Sequence, residues 1–291
     1  MKIPEYESIE QKRGIFGHNK YQQIDTIDDL NKLIQYTKKK KYVYRGMSEA
    51  KYKNYTSAQR QFIVNDLASR GVSIDIFIQK QIEKLQRHKN SSTKNLLPRL
   101  YESLGVIPSD ILYLSFAQHY GGISPLLDVS RNILIAMYFM SENSQLSKSG
   151  DDGINNYFAL YYLPVNDYSQ NIKFTNKDKI ISCLKYDNLK IKSPLIIPDK
   201  SLIVTNPKNK YQTIISLSNL NIIRQEGGFI FFTNENPLKP LEEELYCVDI
   251  HKSLATYIQE LLKSKGLTTE YLFPTEKSIA EKSIREVLCD L

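Results

Sequence analysis

Tryptophan is absent from this 291-residue sequence, and cysteine, histidine and methionine are scarce, at three, four and four residues. Cys183, Cys247 and Cys289 stand 64 and 42 positions apart, which excludes a dense disulfide framework and any Cys-x-x-Cys metal clip. His18, His88, His119 and His251 form no His-x-x-x-His pair, so no metal is expected. The longest uninterrupted apolar run, Ile133 to Met140, covers eight residues, whereas a membrane helix needs about 18. No membrane partner is therefore expected. The opening Met1-Lys2-Ile3-Pro4-Glu5-Tyr6-Glu7 carries two acids and no apolar segment, and the expected compartment is the cytoplasm. Phosphate-loop, dinucleotide Gly-x-Gly-x-x-Gly, His-Glu-x-x-His and Gly-x-Ser-x-Gly signatures are missing too, which removes support for kinase, Rossmann dehydrogenase and hydrolase readings.

What is present is an ordinary globular composition, 41% hydrophobic and 24% charged, with a formal net charge of +7. That charge is uneven: residues 1–100 hold 20 basic against 10 acidic side chains, and the remainder 19 against 22. A basic N-terminal third suits nucleic acid or an anionic ligand such as a dinucleotide. The plainer reading is a solvated face, with Lys38 to Lys41 complementing a helix C-terminus.

Apolar spacing predicts a helix from Thr26 to Lys38, then a short strand, Tyr42-Val43-Tyr44, that delivers Arg45 at its end. Residues 57–89 read as helical with a break at Gly71, and residues 109–121 as a buried helix closed by Gly121-Gly122. A sharp turn follows through Asp128. Ser130 is placed as the cap of a nearly all-apolar helix, Ile133 to Phe139, central to the core. Four strands are expected later, at Tyr157–Leu163, Ser201–Thr205, Phe229–Thr233 and Leu245–Ile250, and two closing helices at 253–264 and 277–288. The predicted fold class is α+β: a helical N-terminal half packed on a small, mostly antiparallel sheet, with residues 1–23 as an extension and 24–291 as a single domain.

Polar residues lodged in apolar segments need partners or a task, because an unpaired buried polar group costs about 1–3 kcal/mol. Arg45 could present its planar fork to a phosphate or carboxylate, or form an internal ion pair. Gln118, His119 and Asp128 can converge from a helix end and the following turn, as a site or as a network that merely fixes a loop. Among acids, Glu242 and Glu244 would point to one side of the strand entering Leu245, or sit in a solvated turn.

These stretches resemble the successive motifs of the FRG domain: Tyr44-Arg45-Gly46, Gln118-His119-Tyr120-Gly121 with Leu126-Leu127-Asp128, Arg224-Gln225-Glu226-Gly227-Gly228-Phe229, and Leu272-Phe273-Pro274. The likeness spans residues 24–285 and departs at one motif, where Ile123-Ser124-Pro125 replaces Pro-Thr-Arg and Val129 replaces Trp. The family's second arginine is gone, so if it holds an anion in relatives, this protein would use another cation or bind something else. FRG domains occur in bacterial and phage-related proteins, and the Tyr-Arg-Gly strand end is similar to the first motif of Arg-Ser-Glu ADP-ribosyltransferases.

That resemblance implies a nucleotide-like anion as partner, with NAD as substrate and a macromolecular acceptor. Catalytic candidates are Arg45, His119, Asp128, Glu244 and Glu270; Tyr44, Gly46, Gln118, Tyr120 and Gln225 would bind the ligand. An effector that transfers or releases ADP-ribose is one expectation; a non-catalytic module for nucleic acid or protein is the other.

Overall fold

The computed structural model describes residues 1–38, 42–74, 76–78, 80–81, 118, 122–142, 153–164, 195–198, 202–206, 209–214, 220–231, 240–242 and 245–275. The predicted helices at 109–121 and 277–288 lie outside these residues, except that Gln118 is helical.

The α+β class holds. Seven strands lie side by side in the order β1 (Tyr21–Ile24), β9 (Tyr246–His251), β4 (Tyr157–Pro164), β2 (Tyr42–Met47), β3 (Leu126–Ser130), β8 (Gly227–Phe231) and β5 (Leu195–Pro198). β1 and β9 are parallel, with Tyr21 opposite Cys247, and every other pair in this sheet is antiparallel. A separate hairpin joins β6 (Leu202–Asn206) to β7 (Asn209–Ile214), and the short helix α5 (Leu220–Arg224) leads into β8. Three strands of the large sheet come from the first half of the chain, and residues 1–23 supply α1 (Ile9–Phe16) and most of β1.

Two expectations fail locally. The turn expected at Leu126–Asp128 is strand β3, because both its faces are covered: Leu126 packs against α3 (Ser57–Val64), Leu127 and Val129 against the opposite cluster. A strand buried on both sides loses the alternation that marks half-exposed ones. Ser130 is accordingly the last residue of that strand, not a helix cap. Asn132 caps α4 (Ile133–Ser141), accepting from the Leu134 amide at 3.0 Å, while the Ser130 hydroxyl donates to the Gln225 carbonyl at 2.7 Å.

The core divides by sheet face. One face carries Tyr42, Tyr44, Leu160, Tyr162, Val248 and Ile250 beneath α2 (Ile27–Lys38), α4 and α6 (Ala255–Ser264). The other carries Val43, Leu127, Val129, Tyr161 and Cys247 beneath α1. Strand periodicity of two therefore aims Arg45 away from Tyr44 and towards the α1 side. Gly46 faces α4 so closely that a Cβ there would lie 1.9 Å from the Ala136 carbonyl oxygen. The dipeptide Arg45-Gly46 thus performs two tasks on opposite faces: glycine admits a helix, arginine serves the other side.

Candidate functional site

β2 and β3 pair at a single position, Tyr44 opposite Ser130, and then part company. Arg45 fills the fork: its Nη1 donates to the Asp128 carbonyl oxygen at 2.8 Å. Asp128 lies on the β3 side of the fork, and Gln118 Nε2 donates to its Oδ2 at 2.7 Å. Of the candidates read from the sequence, Arg45 and Gln118 thus both bond to Asp128, one at its main-chain carbonyl and one at its carboxylate.

A fourth member was missed. Arg60, on α3, interacts electrostatically with both Asp128 and Arg45. α3 is held there by its own N-terminus: Thr56 and Gln59 form a reciprocal capping box, and the Ser57 hydroxyl donates to the Ser124 carbonyl at 3.1 Å while accepting from the Ser124 amide at 2.8 Å. Ser124 directly precedes Pro125, where the family's second arginine would stand. An arginine in an amphipathic helix carries no local signal of such a role, and only the docking of α3 reveals it.

Electrostatically the cluster holds two guanidiniums against one carboxylate. Burial depresses Arg45 below its ordinary value; Asp128 opposes that shift and Arg60 adds to it. Arg60 as a residue is exposed, yet crowding at its head group depresses it as well, again opposed by Asp128. Among the described residues, Arg45 Nε, Gln118 Oε1 and Asp128 Oδ1 are buried without hydrogen-bond partners. Arg45 also lines a cavity of about 10 Å³ with Asn54, whose side-chain amide is likewise buried and unpartnered. That volume suits one water molecule.

Other candidates lie elsewhere. Tyr44 faces the α2 side and donates to the Thr37 carbonyl at 3.4 Å, and Gly46 is spent on α4. Gln225 is buried, its Nε2 donating to the Leu272 carbonyl at 3.2 Å. Its neighbour Glu226, at positive φ, accepts from Asn132 Nδ2 at 2.9 Å. The later motifs therefore join one another around α4. Glu270 is exposed in the first turn of α7 (Thr269–Leu272), its carboxylate held below the usual range by its own backbone amide and Thr268. Among the described residues no hydrogen bond or ion pair joins it to Arg45, Gln118 or Asp128. Glu242 accepts from the Tyr6 hydroxyl at 2.5 Å. His119, Tyr120 and Glu244 lie outside the described residues.

A mixed-sheet α+β domain with an arginine at the fork of two central strands, faced by an Asp and a Gln, is the class that fold and site define. Residues 40–149 match the family model of the FRG domain, and the matched span holds Arg45, Arg60, Gln118 and Asp128 together. No curated protein and no solved structure matches the chain. Among the described residues no helix is long and apolar enough to cross a membrane.

Proposed function

We propose that the β2/β3 fork binds a nucleotide-like anion, and that NAD is its substrate. The observation that carries this reading is the mismatch at Asp128: two guanidiniums sense one carboxylate electrostatically, while one of its oxygens and the Gln118 carbonyl oxygen stay buried without donors. A phosphate would balance the surplus positive charge, and ribose hydroxyls would supply the missing donors. Dinucleotides carry both groups a few bonds apart.

In this scheme Arg45 and Arg60 hold the phosphates and Gln118 orients a ribose hydroxyl. Asp128 stands in for the acid of an Arg-Ser-Glu site. As the bond from ribose C1′ to the nicotinamide nitrogen breaks, nicotinamide leaves with the electron pair, and the Asp128 carboxylate stabilises the oxocarbenium-like sugar. Water or an acceptor nucleophile then bonds to C1′ and loses a proton. ADP-ribose is released or transferred accordingly.

The test is incubation of the purified protein with NAD, with and without cell extract as a source of acceptors, followed by mass spectrometry for free nicotinamide and ADP-ribosylated products. Nicotinamide release by the wild type, lost in Asp128→Asn and Arg45→Lys variants that melt normally, supports the reading. Lysine keeps the charge but lacks the bidentate fork. No release and no NAD binding by the wild type would remove it.

A further inference from the structure

The cavity behind Arg45 gathers three unmet polar atoms. Arg45 Nε, Asn54 Nδ2 and Asn54 Oδ1 are all buried without a hydrogen-bond partner among the described residues, and the two side chains line the same space of about 10 Å³. Asn54 is 0% exposed, as completely buried as Leu126 in the core. Aliphatic and aromatic side chains make up the rest of the lining, Val43, Leu127, Leu163 and Ile230 among them. Such neighbours cannot answer an amide or a guanidinium, and a buried polar group left unanswered is costly.

The pattern of donors and acceptors decides the occupant. Arg45 Nε and the Asn54 amide nitrogen only donate, and the Asn54 side-chain carbonyl only accepts. A halide ion would take both donors and leave the carbonyl unmet. A cation would be repelled by the guanidinium. One water molecule accepts from both nitrogens and donates to the carbonyl, it suits the volume, and about three polar partners are usual for a buried water. Exchanging the amide's nitrogen and oxygen leaves this count unchanged, whichever way Asn54 is turned.

We infer that one buried water links Arg45 to Asn54, and that Asn54 is thereby a positioning residue for the Arg45 guanidinium. Nη1 is already fixed on the Asp128 carbonyl at 2.8 Å. A second tie at Nε holds the planar group at two of its three nitrogens, which sets its plane. Asn54 can serve as an anchor because its own backbone is held: its main-chain carbonyl accepts from the Leu241 amide at 3.4 Å, and Thr56, two residues on, caps the helix that carries Arg60. The brace therefore joins Arg45 to the segment that delivers the second guanidinium. Its effect on nucleotide affinity rests on the fork being an anion site, as proposed above; the water and the ordering of Arg45 do not.

Nuclear magnetic resonance of the Arg45 Nε–H group tests the inference, its signal assigned by its loss in Arg45→Lys. The wild type should show a rigid, slowly exchanging Nε–H with a nuclear Overhauser contact to a long-lived water. Asn54→Val fills the space of the amide and the water with apolar carbon, and should abolish that contact and leave Nε mobile in nitrogen relaxation. Asn54→Ser, whose hydroxyl both donates and accepts, should keep the contact and the rigidity. If Asn54→Val does not fold, Asn54→Ala carries the same test through the mobility of Nε. No water contact in the wild type would overturn the inference, and so would an unaltered, rigid Nε in the valine or alanine variant. Calorimetric titration with NAD reads the consequence at the fork: binding should weaken about tenfold in Asn54→Val and stay within about threefold of the wild type in Asn54→Ser. Unchanged affinity in a valine variant that has lost the water would overturn the positioning role. A wild type that binds no NAD would remove the proposed function instead, and the spectra would still decide the role of Asn54.

Discussion

Lys12 Nζ lies 2.5 Å from Asp249 Oδ1, and neither side chain reaches solvent. Lys12 also donates to the Ala50 carbonyl at 2.8 Å and sits 5.2 Å from the ring centres of both Tyr6 and Tyr161. The Tyr21 hydroxyl completes the carboxylate at 2.8 Å. Removing either partner strands a buried charge, which costs about 3–5 kcal/mol. Lys12→Met and Asp249→Asn should each lower stability by that amount in urea unfolding. The double variant should cost less than the two together, with a coupling of about 1–3 kcal/mol. Additive losses would show that the pair is not the anchor of α1.

Gly46→Ala places a methyl group 1.9 Å from the Ala136 carbonyl oxygen, a backbone atom in the middle of a helix that cannot step aside. Overpacking of this severity should cost about 3 kcal/mol or more, visible as a lower melting temperature or loss of soluble protein. A Gly46→Ala protein that melts like the wild type would mean that α4 does not rest on β2 as described.

Gln225 distinguishes a brace from a ligand contact. Gln225→Ala leaves the Leu272 carbonyl without its donor at a buried position, a loss of about 1–2 kcal/mol. Hydrogen exchange should speed up across residues 268–275, while the nucleotide affinity proposed for the fork stays unchanged. Reduced affinity with unaltered exchange would reverse the assignment.

Stability should collapse in alkali. Burial, first among the causes, raises the phenols of Tyr6, Tyr21 and Tyr161 and the thiol of Cys247 far above their ordinary values, and Tyr55 is pushed up to about 12. Groups raised in the folded state favour folding below their unfolded values, about 8.5 for the thiol and about 10 for the phenols. Above that range the unfolded chain holds fewer protons than the native one, so stability falls by up to about 1.4 kcal/mol per group per pH unit. Several such groups consume a typical stability of about 5–15 kcal/mol by roughly pH 11–12. The tyrosinate absorbance of these buried phenols should therefore rise in one cooperative step that coincides with loss of circular dichroism. Independent titration of these phenols while the fold persists would contradict their burial.

Legibility in the sequence followed locality. The helix at Ile133, the strand reaching Arg45 and the strand at Tyr157 announce themselves through apolar spacing, and a handful of polar residues inside such segments pointed to Arg45, Gln118 and Asp128. Strand β1 was missed because Tyr21-Gln22-Gln23-Ile24 finds its partner in β9, far along the chain, with no hairpin between them. Arg60 and Lys12 escaped for a related reason. Each looks like a surface charge on an amphipathic helix until tertiary docking brings its helix against the sheet.

The parallel seam between β1 and β9 also sets an order of assembly. Lys12 and Asp249 are separated by 237 residues, so at about 5–20 residues per second a ribosome needs roughly 12–50 seconds after making the lysine before its carboxylate exists. During that interval α1 has no site in which to lose its water. A helix made this long before its partner strand must wait to dock, and its lysine is a closing bolt: it seats only when the strand that ends at His251 has joined the sheet.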